Sequence, residues 1–128
     1  MKIISILITA LVLSTTVFSQ SDDLPIDESL IVKLAKVASG GYLSKMDLKN
    51  ASTLTVNEKE AVIVSFYYRC DKTGYEANMF NQGPQLSQEI LNHLNSLKIG
   101  SKVTFDNIKI ENASGEVLAK PLLLTIKS

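Results

Sequence analysis

The sequence predicts a mainly β domain of the α+β class, a small antiparallel β-sandwich-like unit with one well-formed helix and one short helical turn. Three observations carry this prediction. Residues 61–70 (Ala-Val-Ile-Val-Ser-Phe-Tyr-Tyr-Arg-Cys) form a dense run of β-branched and aromatic residues. Residues 87–97 place Ile90, Leu91, Leu94 and Leu97 on one helical arc. Residues 101–126 hold two alternating runs separated by Asn112-Ala113-Ser114-Gly115.

The elements are justified in chain order. Met1-Lys2 is a minimal basic start, and Ile3 to Leu13 is apolar apart from Ser5 and Thr9. Val17 and Ser19 then suit a cleavage site before Gln20, the order of a secretory signal peptide over residues 1–19. The apolar run is shorter than the ~20 residues that span a bilayer, so no transmembrane anchor is expected to remain. Cys70 is the only cysteine, which excludes both a lipid-modified cleavage site and an internal disulfide. Polar residues 20–29 read as a flexible leader, and residues 30–128 as one domain. A chain of this length buries roughly two thirds of its unfolded surface and needs no covalent staple. Without Lys2, twelve of the thirteen basic residues face thirteen acidic ones, so there is no basic footprint for nucleic acid.

Leu30 to Val37 predicts a first strand or a helical turn, broken at Gly40-Gly41. Ser44 and Asp47 have capping-box spacing for a helix of about two turns. In 61–70, Val62, Val64, Phe66, Tyr68 and Cys70 share one face, with Ile63 and Tyr67 on the other, as in a central strand. Asp71-Lys72-Thr73-Gly74 predicts a hairpin turn, and a strand returns through Tyr75, Ala77 and Met79. Ser87 is an N-cap, with Leu86 and Leu91 as a hydrophobic staple. Gly100 is expected as the C′ residue that stops the helix. In the strand that follows, the apolar parity slips from Val103 and Phe105 to Ile108 and Ile110. One extra residue at Asp106-Asn107 produces such a slip, so a β-bulge is expected there. Gly115 is expected to turn the chain with positive φ. The final strand runs from Val117 to Ile126 and is an edge or is broken at Pro121, which cannot donate to a ladder.

The residues that carry chemistry elsewhere are sparse. His93 is the sole histidine and reads as a half-exposed surface residue, without the second ligand that a metal site needs. Cys70 reads as an inert, partly buried thiol, with Arg69 on the opposite face of its strand. Neither G-x-S-x-G nor a glycine-rich phosphate loop is present. Asn50-Ala51-Ser52 and Asn112-Ala113-Ser114 match the glycosylation tripeptide, which is frequent by chance. Tyr42, Tyr67, Tyr68 and Tyr75 could stack on a sugar, but such tyrosines commonly fill strands. No catalytic residue, metal or cofactor is expected.

Several segments in order resemble one family: Gly40-Gly41, Ser44-Lys45, Val64-Ser65-Phe66, Leu97-Lys98-Ile99-Gly100, Phe105-Asp106-Asn107-Ile108 and Ser114-Gly115. Together they look like the C-terminal periplasmic domain of the gliding-motility protein GldM, also called PorM in type IX secretion. The similarity spans roughly residues 36–127, and block 81–116 is its specific part. The resemblance implies a β-sandwich-like domain of Bacteroidota cell envelopes that docks on outer-membrane or periplasmic components of the secretion and motility machine. The relatives form a dimeric rod, which implies a homodimer as a further association. The expected cleavable signal stands where those relatives retain a membrane anchor.

Residues and resemblance together predict an exported, non-catalytic protein-binding module of the periplasm, with the cell surface or exterior as the alternative location. The competing expectation is a small secreted enzyme or carbohydrate-binding domain on the same scaffold. Two surfaces are candidates for docking. One is an open final-strand edge at Pro121–Ile126, carrying Leu122 and Leu124; the other is the polar helix face of Gln88, Asn92, Asn95 and Ser96.

Overall fold

The computed structural model describes residues 24–70 and 77–127. The expected signal peptide and the expected turn at residues 71–74 lie outside the described residues. The elements in order are β1 (Val32–Leu34), β2 (Tyr42–Ser44), α1 (Lys45–Asn50), β3 (Leu54–Val56), β4 (Val62–Cys70), β5 (Ala77–Gln82), α2 (Gln88–Ser96), β6 (Lys102–Asn112), β7 (Gly115–Ala119) and β8 (Leu122–Lys127). The fold class holds: the described residues are mostly β with two helices.

The main sheet runs β2-β8-β6-β4-β5, and β7 pairs with the far half of β6 on the flank that β8 also uses. β4 is central, as its two-sided apolar pattern requires. All the pairings within this sheet are antiparallel except β2 with β8, which is parallel. β1 and β3 form a separate antiparallel pair. β3 carried too short an apolar pattern to be foreseen; Leu54 alone of its three residues is fully buried. Part of the expected leader is tied down: Asp27 N–H donates to Leu118 C=O, and Leu118 N–H donates to Pro25 C=O. Asn57 holds the same segment, its Oδ1 accepting from Ile31 N–H at 2.8 Å and its Nδ2 donating to Ser29 C=O at 3.1 Å.

A seam crosses the sheet where the sequence parity slips. Ser65 pairs with Lys109 but Tyr67 pairs with Asp106, so β6 passes two residues where β4 passes one. Asn107 is the odd residue, with φ +47°. Phe105 and Ile108 are both fully buried despite their three-residue spacing, as the bulge demands. β4 has a compensating irregularity. Ile63 pairs with Ile110 and Ser65 with Lys109, which leaves Val64 as an extra residue. Beyond both irregularities the β4–β6 register is restored. On the other flank of β6, β7 pairing ends at Ile108–Ala119 and β8 pairing begins at Phe105–Leu122. Lys120 and Pro121 fall opposite the bulge, where the ladder asks for no donor.

The seam corrects the parity expected for β4. Ile63 is buried and Val62 is exposed, whereas Phe66, Tyr68 and Cys70 are buried as expected. An extra residue at Val64 exchanges the two faces at that point. The core joins this face to β6, β8, α2 and the β1–β3 pair. Phe105 sits at its centre, 5.7 Å from the ring of Phe66 and 5.4 Å from that of Tyr68.

The end of the helix is also corrected. α2 stops at Ser96 with extended Leu97 as its C-cap. Gly100 has φ +96° as expected, but in a separate turn closed by Ser101 N–H donating to Lys98 C=O. Gly115 has φ +114° at the start of β7.

Candidate functional site: a lysine-rimmed cleft between the two helices

Ser44 ends β2 and caps α1, its Oγ accepting from Asp47 N–H at 2.9 Å. That is the expected capping contact. α1 has six residues and buries only Leu48, so the rest of its surface is available. Lys45 and Lys49 are four apart and share one side of the helix.

α2 is positioned by a polar brace that the sequence did not disclose. Asn81 is only 3% exposed. Its Oδ1 accepts from Ser87 N–H at 2.9 Å, and its Nδ2 donates to Gln85 C=O at 2.9 Å and to Gly83 C=O at 3.1 Å. Ser87, the expected N-cap, then accepts from Ile90 N–H at 3.3 Å. The signal was an asparagine just ahead of Gly83-Pro84, where a tight turn leaves backbone groups for a short polar side chain to bond.

α2 buries Ile90, His93 and Leu94, and its C-cap Leu97 is buried as well. His93 is therefore a correction: it is 4% exposed, not half-exposed. The buried Tyr68 hydroxyl shares a 2.7 Å hydrogen bond with His93 Nδ1, and the rings stand edge to face at 5.4 Å. A buried phenol needs a polar partner, and histidine supplies one from the packed side of the helix. With His93 inward, Leu91 is rotated to the margin and is only partly buried.

Gln88, Leu91 and Asn95, spaced three and four apart, form the stripe of α2 that faces α1. Between the helices lies a cleft of about 900 Å³. α1 contributes Lys45, Met46, Asp47, Leu48 and Lys49 to it. Lys127 closes one end, brought there by the parallel pairing of Ser44 with Lys127. Met46 is 67% exposed at the rim. Three lysines and one acidic residue, Asp47, are thus among the lining residues. The single ion pair among the described residues, Arg69 with Asp106 at 2.9 Å, lies elsewhere, on the other face of the sheet.

The expected surface residues fare differently. Gln88 and Asn95 line the cleft, and Asn92 is tied to Gln88 by a 2.9 Å hydrogen bond. Ser96 turns its hydroxyl back to His93 C=O at 2.7 Å. Leu122 and Leu124 are core residues, a correction to the expected open edge. β8 is covered by β2, and Leu123 N–H donates to Ser39 Oγ at 3.1 Å just before that pairing begins. The tyrosines do not form one stacking surface either. Tyr68 is buried, while Tyr42 and Tyr67 stand on strands separated by two others; Tyr75 lies outside the described residues. Tyr67 instead packs on Phe80 at 5.2 Å, with Arg69 over its ring at 5.1 Å.

Cys70 is a buried free thiol. Among the described residues no group of three His, Cys, Asp or Glu side chains is placed to hold a metal ion, and no helix is long and apolar enough to cross a membrane. Asp27 has its carboxyl held below the ordinary range, first by the Ser29 hydroxyl and then by the Ser29 N–H, in the turn before β1.

The motifs behind the family resemblance fall on structural features. Gly40 has φ +90°, and a Cβ on Gly41 would lie 2.5 Å from Val37 Cγ1 and 3.0 Å from Ala38 O. Val64-Ser65-Phe66 and Phe105-Asp106-Asn107-Ile108 meet across the seam. No protein-family model matches the chain, and no curated protein matches it significantly.

Proposed function

We propose that this chain is an exported, non-catalytic protein-binding module of the bacterial cell envelope, and that the cleft between α1 and α2 is its docking site. The observation that carries this is the cleft itself. It pairs an exposed methionine and a partly buried leucine with uncharged amides and three lysines. Such a lining suits an extended or helical segment of another protein: apolar side chains for affinity, polar groups for orientation. The resemblance to the GldM C-terminal domain supports the same kind of use and the periplasm as its place. The partner would then be a secretion or motility component.

The test is a photo-crosslinking amino acid at Met46, with Leu123 on the sheet's other face as control, in the native envelope. Capture of one partner from Met46 and not from Leu123 is the expected outcome. Equal capture from both positions, or none from Met46, would reject the cleft as the docking site. A Met46 product made of two copies of this chain would turn the reading into self-association.

A further inference from the structure

Resting on that docking reading, we infer that the cleft selects an acidic segment in which carboxylates flank an apolar side chain. Lys45 and Lys49 stand one turn apart on α1, and Lys127 stands at the end of β8. None of the three has an ion pair among the described residues. Only Asp47 opposes them within the lining. The chain as a whole has no such imbalance, with thirteen basic and thirteen acidic residues. The excess of positive charge is therefore local to the cleft, and complementary charge steers and registers a partner. Met46 and Leu91 sit within the same lining, so a bare polyanion would leave their apolar surface uncovered.

A fluorescein-labelled peptide Asp-Glu-Leu-Leu-Glu-Asp is the probe, read by anisotropy against the purified protein. Three surface ion pairs of ordinary strength predict that reversing Lys45, Lys49 and Lys127 to Glu weakens binding about tenfold. Raising salt from ~50 to ~300 mM should weaken it in the same direction. Reversing Lys33, Lys59 and Lys120, three exposed lysines outside the cleft, should leave it nearly unchanged. Circular dichroism checks both variants, and Lys→Gln at the same three cleft positions serves if the reversal disturbs the fold.

Several results would overturn the inference: no binding of the probe at millimolar concentration, or equal weakening by the two sets of reversals. Equal binding of Asp-Glu-Gly-Gly-Glu-Asp or of a heparin fragment would do so as well, because the cleft would then read only negative charge. If Met46 crosslinks to a segment without carboxylates, this inference falls and the docking reading stands. If Met46 captures nothing, both fall.

Discussion

Asn107 and Gly100 adopt the same rare backbone region for different reasons. Asn107 has φ +47° because the β6 bulge needs a left-handed residue, and asparagine is among the few side chains that tolerate it. Gly100 has φ +96° with no atom within 4 Å of where a Cβ would stand, so a substitution there meets backbone strain and no clash. Asn107→Gly should therefore leave the melting temperature equal or higher, whereas Asn107→Val and Gly100→Val should each cost about 1–2 kcal/mol. For a domain of this size that is a drop of at least several degrees in a thermal melt, at about 4 °C per kcal/mol or more. A Gly100→Val protein that melts with the wild type would contradict the assignment. Asp27 gives a second test at this scale. Its folded-state pKa lies below the ordinary value of 3.8, so its contribution to stability is present above that value and is lost as pH falls through the folded pKa. Ser29→Ala removes the largest cause, and the Asp27 carboxyl should then titrate closer to 3.8 in an NMR pH series.

At the scale of elements, the start of α2 is held by local polar contacts. α2 needs the Ser87 cap and the Asn81 brace, which between them satisfy Ile90 N–H, Ser87 N–H and the carbonyls of Gln85 and Gly83. Ser87→Ala should cost about 1 kcal/mol, as for other N-caps. Asn81→Ala should cost more, about 2 kcal/mol, because it removes three part-buried hydrogen bonds at once, to Ser87 N–H and to the carbonyls of Gln85 and Gly83. Urea denaturation would rank the two, and the reverse order would show that Asn81 is not the brace. Capping was legible because it is local: Ser44 to Asp47 and Ser87 to Ile90 are contacts three residues apart. Asn81 was not, because its role depends on where residues 83–87 fold back over the end of β5.

The whole molecule sets which surfaces are open. An edge strand at β8 was a fair inference from Pro121, yet the parallel addition of β2 removes that edge. No local pattern in Tyr42–Ser44 announces a partner over eighty residues away. The proposal of export is also tested on the whole chain. The Val17-Phe18-Ser19-Gln20 junction predicts a mature protein beginning at Gln20, and intact mass of envelope-derived material should show the loss of residues 1–19. Material that retains Met1 to Ser19 would end the export proposal and with it the envelope as the place of binding.

Local chemistry determined the β-rich class, the two caps, the bulge at Asn107 and the positive φ of Gly100 and Gly115. Each depends on the steric limits of one residue or on a pattern a few residues long. Tertiary structure alone decided the rest. Val64 compensates the bulge only because β4 lies beside β6. His93 is buried where it meets the Tyr68 phenol beneath the helix. The cleft exists only because β2 pairs with β8 and so brings Lys127 to α1 while α2 closes the other side. These are contacts between residues distant in sequence, and single-strand or single-helix periodicity carries no information about which neighbour a face will meet.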